Sequence, residues 1–219
     1  MAVGRRTIGW IAATIAVVVV AGYAVAQGMM GQNMTGPGMM MGGGAANRPV
    51  GAGWGGDILN YQQAAAYIQQ GNEIGDADQA NNAITYSGKE VTIDLVAVQP
   101  DHEDQTFEVH GLINPTLVIP SGAVVHLNLI NMDYGPNMEH SIVLTSAAPP
   151  YPYMSMMVTG RGLTEPMPLL PWRSGKAVEG AQYASLGMTF VAQQPGTYWY
   201  VCPTPKHAQE GMYGKFVVR

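Results

Sequence analysis

The sequence of 219 residues contains only one cysteine, Cys202, and this scarcity excludes several kinds of site. One cysteine cannot form a disulfide within the chain. It also cannot supply the two or four thiolates of a structural zinc site. In an exported protein, a lone cysteine pairs with another chain, lies inert in the core, or binds a metal.

Charged residues are also scarce, at 11% of the chain, against about 25% in average soluble proteins. The formal net charge is -5, and no basic cluster follows Arg5 and Arg6, so the sequence offers no electrostatic footprint for nucleic acid. A low charge content suits an acidic compartment, where carboxyl groups become neutral near about pH 4. Hydrophobic residues make up 47%, enough for the core of one domain with appendages.

Residues 1–27 are predicted to be a membrane anchor or a signal peptide. Arg5 and Arg6 precede an apolar run at 8–26, near the lower limit of roughly 17–25 residues for a transmembrane helix. The run exceeds the usual signal-peptide core of about 7–15 residues, although its end at 24–26 fits a cleavage site. We favour an anchor that leaves the rest of the chain outside the cytoplasm, with a cleaved signal as the alternative.

Residues 28–56 are predicted to form a flexible linker to a domain at 57–219. Glycine and methionine dominate this stretch, and glycine makes its ordering entropically costly. A low-complexity spacer is the preferred interpretation, because composition alone is weak evidence for a binding site. The alternative is a Cu(I)-collecting cluster, since thioethers are soft ligands. Its methionines are Met29, Met30, Met34, Met39, Met40 and Met41.

The domain is predicted to begin with a short helix at 56–72, which Asp57 caps and Gly71 ends. After this helix, short runs of alternating apolar residues are separated by glycine and proline. Strands at this spacing predict an antiparallel β-sandwich or barrel. A proline- and glycine-rich stretch at 147–188 is expected to form long connections with little regular structure.

Three potential metal ligands lie at equal spacing near the C-terminus, where four residues separate Cys202 from His207 and His207 from Met212. The predicted strands "GTYWYV" and "YGKFVV" flank them, so one loop carries a thiolate, an imidazole and a thioether. A blue-copper site takes one thiolate and two imidazoles in a plane, with a weak axial thioether. The second imidazole is predicted to be His140 in "NMEHSIVL", followed by Ser141, which is expected to hydrogen-bond near the thiolate.

Other interpretations of these residues fit less well. Structural or solvated roles suffice for His102, His110 and His126. Zinc gains nothing from an axial methionine, and a Cys–His catalytic pair lacks an orienting residue in the loop. A binuclear copper site needs a second cysteine, and a copper enzyme with a second metal site needs more than the five histidines present. An inert core cysteine with coincidental spacing is the remaining alternative.

The C-terminal loop resembles that of the rusticyanin family, in the wider group of cupredoxins that includes the sulfocyanins. The resemblance extends to "ITYSGKEVTI", "TFEVHGLINPTLVIPSGAVVHLNLIN" and "EHSIVLT", and it covers most of residues 57–219. It implies an all-β cupredoxin Greek-key β-sandwich with a short N-terminal helical extension. It also implies one type 1 copper ion per chain. The family's copper ligands correspond to His140, Cys202, His207 and Met212.

The resemblance further implies one-electron transfer rather than catalysis, in the acidic periplasm and within an acidophile's chain of iron or sulfur oxidation. The expected partners are cytochrome c or a terminal cytochrome oxidase in transient contact, and the membrane through residues 8–26. His207 is expected to be the more exposed histidine ligand. Four apolar residues are expected to form a docking patch: Pro203, Pro205, Ala208 and Met138. A membrane-tethered copper chaperone or oxidase-assembly partner is the alternative function.

The chain departs from the family pattern in three places: the N-terminal anchor and linker, the loop before His140, and an expanded segment at 163–182. The loop before His140 is longer than in the family and carries Asp133 and Glu139. Because these carboxyl groups are close in sequence to a predicted ligand, the unusually high reduction potential of the family is not implied for this chain.

Overall fold

The computed structural model describes residues 48–51, 53–159 and 162–219. The predicted anchor or signal at 1–27 and the linker up to residue 47 lie outside the described residues. Among the residues that are described, no helix is long and apolar enough to span a membrane.

Twelve strands form two six-stranded sheets in the part of the chain that the structure describes. The strands are β1 (Asp57–Asn60), β2 (Asp76–Asp78), β3 (Ala83–Thr85), β4 (Glu90–Ala97), β5 (Phe107–Val109), β6 (Leu112–Ile113), β7 (Thr116–Ile119), β8 (Val124–Asn131), β9 (Val143–Thr145), β10 (Gln182–Val191), β11 (Gly196–Val201) and β12 (Tyr213–Val218). The first sheet has the order β1-β10-β8-β4-β5-β6, and the second has the order β2-β3-β7-β12-β11-β9. This mostly-β, two-sheet arrangement confirms the predicted cupredoxin-like fold.

Both sheets are mixed, so the expected antiparallel pairing holds for most strand pairs but not for three of them. Strand β4 pairs in parallel with β8 along its whole length, and β7 pairs in parallel with both β3 and β12. The remaining strand pairs are antiparallel, including β8 with β10 and β11 with β12. Alternation of apolar residues tells which side chains face the core. It carries no information about the direction of the neighbouring strand, because both kinds of ladder have the same period of two.

The central core lies between the two sheets and follows the predicted alternation. Val125, Leu127 and Leu129 of β8 are fully buried in it, whereas His126 and Asn128 lie on the opposite face. Burial of each such aliphatic side chain contributes about 1.5–3 kcal/mol. These strands therefore form a rigid base for the loops at their ends.

The helix α1 (Tyr61–Gly71) begins later than predicted, and Asn60 rather than Asp57 caps it. The Asn60 side chain accepts a hydrogen bond from the Gln63 amide at 2.9 Å, and the Gln63 side chain accepts one from the Asn60 amide at 2.9 Å. This reciprocal pair is a capping box. Asp57 instead lies in β1, because that stretch pairs with β10 and pairing overrides a local capping preference.

Helix α1 packs on the outer face of the first sheet and ends at Gly71, as predicted. Ala64 is fully buried there in a small second core with Ile130 and Tyr183. A Cβ atom at Gly71 would lie only 2.6 Å from Oδ2 of Asp94 on β4. Glycine is therefore required for the helix to end this close to the sheet.

The stretch at 147–188 is mostly irregular, as predicted, apart from a short 3₁₀ helix at Ser155–Met157 and the start of β10. Strand β10 begins at Gln182, inside the stretch that was expected to have little regular structure. Pairing with β1 on one side and β8 on the other stabilises its first residues as strand. Tertiary pairing here outweighs the low intrinsic strand preference of Ala184 and Gly187.

Strands β11 and β12 hold the C-terminal loop at residues 202–212. Tyr200 on β11 lies opposite Gly214 on β12, where a Cβ atom would come within 2.1 Å of the Tyr200 hydroxyl oxygen. That hydroxyl donates a hydrogen bond of 2.6 Å to the carbonyl of Pro115. The absent side chain at Gly214 therefore leaves room for Tyr200, whose hydroxyl ties β11 to the residue before β7.

Candidate metal centre

Three predicted ligands, His140, Cys202 and His207, converge at the end of the second sheet where β11 ends and β9 and β12 begin. His140 and Cys202 have no exposed surface, and His207 is 4% exposed. The Cys202 Sγ atom lies 3.7 Å from Nδ1 of His140 and 3.6 Å from Nδ1 of His207. The two Nδ1 atoms are 3.2 Å apart. Among the described residues, this is the one group of three histidine, cysteine or carboxylate side chains that could hold a metal ion.

The spacing of these three atoms fits a metal ion. A point equidistant from Sγ and both Nδ1 atoms lies about 2.0 Å from each of them, close to protein metal–nitrogen and metal–sulfur bonds of about 2.0–2.3 Å. Two imidazole nitrogens and one thiolate sulfur are the equatorial ligands of a blue-copper ion. The triangle therefore has both the size and the chemistry of a type 1 copper site.

The C-terminal loop folds back on itself and brings Met212 beside Cys202. The Cys202 amide donates to the Met212 carbonyl at 3.1 Å, and the Met212 amide donates to the His207 carbonyl at 3.0 Å. The His207 amide donates to Thr204 at 3.2 Å. Met212 is fully buried in the same core cluster as Cys202. The loop thus brings the main chains of Cys202 and Met212 together, and the Met212 side chain is buried.

His140 is held by Leu170, which lies in the irregular segment before β10. Its amide donates to the Leu170 carbonyl at 3.2 Å, and the Leu170 amide donates to the His140 carbonyl at 2.7 Å. The side-chain amide of Asn131 donates to the carbonyls of Leu170 and Met138, both at 2.9 Å. Sequence reasoning missed the roles of Leu170 and Asn131, since only the fold brings these distant segments together.

The outer nitrogen of His140 contacts a buried carboxyl group. Nε2 of His140 lies 2.8 Å from Oδ2 of Asp133, which is 7% exposed. An Nε2–H that donates to Asp133 leaves the Nδ1 lone pair directed at the centre of the triangle. The sequence indicates Asp133 only as a departure from the family pattern, and the fold brings it to His140 from seven positions upstream.

The electrostatics of the site favour a thiolate. Burial alone would raise the pKa of the Cys202 thiol, but hydrogen bonds and charge from His140 and His207 lower its pKa to about 5. For His140 the effect of burial is the opposite, because burial lowers the pKa of an imidazole. The contacts of His140 with Asp133 and Cys202 outweigh burial and raise its pKa to about 9. Because the thiolate is the form that binds metals, the surroundings of Cys202 prepare it as a ligand.

The other three histidines have the structural roles expected of them. His102 Nδ1 lies 2.6 Å from Oε2 of Glu108, and His126 Nε2 lies 3.0 Å from Oε1 of Glu90. His110 contacts the last carbonyl of α1 at 3.0 Å and so helps to satisfy the helix end. None of the three lies in the metal-binding group of the described residues.

Ser141 was expected to hydrogen-bond near the Cys202 thiolate, but its hydroxyl bonds elsewhere. Its hydroxyl donates instead to the carbonyl of Met167 at 2.5 Å, in the irregular segment before β10. A different hydroxyl, that of Ser155, donates to the carbonyl of Cys202 at 3.2 Å. Nothing in the sequence around Ser155 indicates this contact, which joins residues 47 positions apart.

A surface cavity of about 490 Å³ lies beside His207. Pro205 and Met138 of the expected docking patch line it. Ala208 is 1% exposed and belongs to the interior, so its place in the patch was wrong. His207 is more exposed than His140, as predicted, although the difference is only between 4% and 0%.

Comparison with known proteins identifies the family. No protein-family model matches the sequence. Rusticyanin from Acidithiobacillus ferrooxidans is 39% identical over 145 residues, which cover 64% of this chain and 69% of that protein. The chain belongs to the rusticyanin family. A second rusticyanin from the same species is 37% identical, and the match covers 83% of it.

Solved rusticyanin structures share the fold described above. Reduced rusticyanin at 1.9 Å resolution has a TM-score of 0.62 and 33% identity, covering 74% of this chain and 99% of that one. A rusticyanin variant at 1.5 Å resolution has a TM-score of 0.65 and 32% identity, covering 97% of that chain. Rusticyanins are type 1 copper proteins that transfer electrons and are not enzymes. As a member of this family, the chain is a blue-copper electron-transfer protein, and its single His–Cys–His group is consistent with one copper ion.

Proposed function

We propose that this chain carries single electrons on one copper ion held by Cys202, His140 and His207 as equatorial ligands and by Met212 as the axial ligand. The triangle of Sγ and two Nδ1 atoms, with its equidistant point about 2.0 Å from each, is the observation that carries the assignment. Burial of Met212 in the same cluster as Cys202 supports its axial role. Copper, when bound, supplies the Cu(II)/Cu(I) couple.

The protein contributes a site that is already in place. Cys202 and Met212 are tied by a hydrogen bond between their main chains, and His140 is tied to Leu170 by two. Side chains that are locked by packing and hydrogen bonds keep a functional geometry to within a fraction of an ångström. Such a site rearranges little when the oxidation state changes, which favours fast electron transfer.

The surface beside His207 is the proposed contact for redox partners. The cavity there is lined by Pro205, Met138 and Leu169 together with polar groups, and it is open to solvent. Small surfaces of this mixed kind suit weak, transient complexes. Electrons that arrive or leave through His207 cross one imidazole ring between the surface and the metal position.

The proposed setting is the periplasm of an acidophile, where the chain passes electrons from iron or sulfur oxidation towards cytochrome c or a terminal oxidase. Its support is the 39% identity to rusticyanin of Acidithiobacillus ferrooxidans, together with the low charge content of the sequence. Attachment to the inner membrane through residues 8–26 remains a proposal from the hydropathy of that segment.

Copper handling is a second candidate function, favoured by exposed thioethers next to the copper loop. Met154, Met156 and Met157 are 45%, 46% and 81% exposed, and they lie in and beside the 3₁₀ helix. The Lys206 amide donates to the carbonyl of Tyr153 at 2.7 Å, which joins this segment to the loop. Thioethers suit Cu(I). Replacing the three methionines with leucine should slow copper loading without affecting electron transfer if this function exists.

Visible and electron paramagnetic resonance spectra of the copper-loaded protein test the main proposal. The wild type is expected to show an intense thiolate-to-copper band, which Cys202→Ser removes. His207→Ala is expected to lose the type 1 spectrum, whereas the matched substitution His126→Ala, at a surface histidine, retains it. A wild type without the band, or a Cys202→Ser variant that keeps it, contradicts the assignment.

A further inference from the structure

The contact between Asp133 and His140 places a carboxylate behind a predicted copper ligand. Oδ2 of Asp133 lies 2.8 Å from Nε2 of His140, and both side chains are buried. The ligand nitrogen Nδ1 of the same ring lies on the other side, 3.7 Å from the Cys202 sulfur. One imidazole ring therefore separates a carboxylate from the position of the metal.

The Asp133 carboxylate is held in this position by the surrounding loop. The Tyr134 amide donates to its other oxygen, Oδ1, at 2.7 Å. The Asp133 amide donates to the Asn131 side chain at 3.0 Å, and the Asp133 carbonyl accepts from the Arg173 amide at 2.9 Å. The main chain and the carboxylate are thus both fixed by hydrogen bonds from residues that are not predicted ligands.

The side chain of Arg173, a nearby cation, forms its hydrogen bonds with main-chain carbonyls. The Arg173 guanidinium donates to the carbonyl of Met132 at 2.7 Å and to that of Gly175 at 3.1 Å, and it lies over the Tyr134 ring. Oδ2 of Asp133 instead lies 2.8 Å from Nε2 of His140. In surroundings of low dielectric constant, the negative charge of Asp133 therefore acts mainly along the His140 ring towards the metal position.

We propose that Asp133 is a positioning residue that fixes the tautomer of His140 and lowers the reduction potential of the copper site. A carboxylate that accepts the outer N–H of a ligating histidine makes the inner nitrogen a stronger donor. Stronger donation and nearby negative charge stabilise Cu(II) more than Cu(I), because Cu(II) carries the larger positive charge. This inference rests on the proposed function, since it takes His140 to be a copper ligand.

A purely structural role is the alternative, because Oδ1 of Asp133 also accepts a hydrogen bond from the Tyr134 amide. The substitution Asp133→Asn separates the two roles. Asparagine has almost the same shape and keeps one acceptor oxygen, but it carries no charge. A structural role predicts a change in the stability of the protein, whereas the proposed role predicts a change in its reduction potential.

The test is a redox titration of copper-loaded Asp133→Asn beside the wild type and the matched variant Asp94→Asn. Asp94 is also a buried carboxyl, but it accepts its hydrogen bond from Asn128 on β8. We expect Asp133→Asn to weaken Cu(II) binding by about 10–100-fold with Cu(I) binding little changed. The potential then rises by about 59 mV for each tenfold difference. Asp94→Asn should leave the potential unchanged.

A second variant, Asp133→Glu, tests whether a negative charge at this position is enough to keep the reduction potential near that of the wild type. Asp133→Glu retains the negative charge, so its potential should lie closer to the wild type than that of Asp133→Asn. A structural role predicts the reverse, because glutamate adds a methylene group to a buried position. An unshifted potential in Asp133→Asn, or equal losses of Cu(I) and Cu(II) affinity, overturns the inference. A wild type that lacks the thiolate-to-copper band defeats the proposed function instead, so the two failures are distinguishable.

Discussion

At the scale of single residues, Asp94 is a carboxyl group that the alternation of β4 does not explain. It is only 9% exposed although it lies on the outer face of the sheet, because the end of α1 at Gly71 covers it. The side-chain amide of Asn128 donates to it at 2.7 Å. Burial raises the pKa of Asp94, and this hydrogen bond offsets the effect only in part.

The raised pKa of Asp94 predicts a pH-dependent effect of Asp94→Asn. The folded protein binds the Asp94 proton more tightly than the unfolded chain, whose carboxyl pKa is about 3.9. The stability that proton binding at Asp94 contributes is fully present below about pH 3.9. It is lost as the pH rises through the pKa of Asp94 in the folded protein. Asp94→Asn is therefore expected to unfold at higher urea concentration than the wild type at neutral pH.

Urea unfolding of both proteins at neutral pH and at about pH 3 checks this expectation. The difference in the free energy of unfolding should shrink towards acid, where the carboxyl group of the wild type is also neutral. A difference of the same size at both pH values would mean that the amide acts through packing alone and not through the charge of Asp94.

At the scale of elements, two loops form the metal centre, and one hydroxyl joins them. The hydroxyl of Thr204, in the C-terminal loop, donates to the carbonyl of Glu139 at 2.5 Å. That carbonyl directly precedes His140, so the hydrogen bond ties the loop of Cys202 to the loop of the upstream histidine. Neither loop has the apolar periodicity of a strand or a helix. Their attachment to paired strands brings them together.

Helix α1 depends strongly on its first turn, because only Ala64 and Gly71 of its residues are buried. Asn60→Ala removes the oxygen that accepts from the Gln63 amide and breaks the capping box. We expect a loss of about 0.5–2 kcal/mol in the free energy of unfolding. Thermal or urea unfolding measures it, and the exposed substitution Gln62→Ala is the control. Equal losses in both variants would contradict the capping role.

At the scale of the whole molecule, metal binding and folding are coupled, because the ligands come from both ends of a chain segment of more than sixty residues. His140 and Cys202 are 62 positions apart, and their side chains meet only in the folded protein. A ligand that binds the folded state alone stabilises that state according to its concentration relative to its dissociation constant.

Copper should therefore raise the melting temperature of the metal-free protein. Cu(II) at about a thousand times its dissociation constant stabilises by about 4 kcal/mol. For a protein of this size, each kcal/mol shifts the melting temperature by about 2–4 °C. Cys202→Ser should show little of this shift in a calorimetric scan. An equal shift in the variant would indicate that copper stabilises the protein from another site.

The chemistry of the centre was predictable from the sequence because it depends on residue types and short spacings. A loop between two strands that carries Cys202, His207 and Met212 admits few other metals, and these residues lie within eleven positions of one another. His140 was harder to identify, since it is distant along the chain and was recognised through its neighbours in "EHSIVLT". The strands were predictable for a similar reason, because alternation with a period of two is local.

The sequence by itself determined the ligand types, the family and the alternating strands, since each of these is encoded in neighbouring residues. Only the tertiary structure decided the parallel pairing of β4 with β8, the cap at Asn60 and the contact between Asp133 and His140. The physical reason is that strand direction, burial and hydrogen-bond partners depend on segments that are distant along the chain. A carboxylate seven positions before a ligand becomes its partner only when the fold brings the two side chains together.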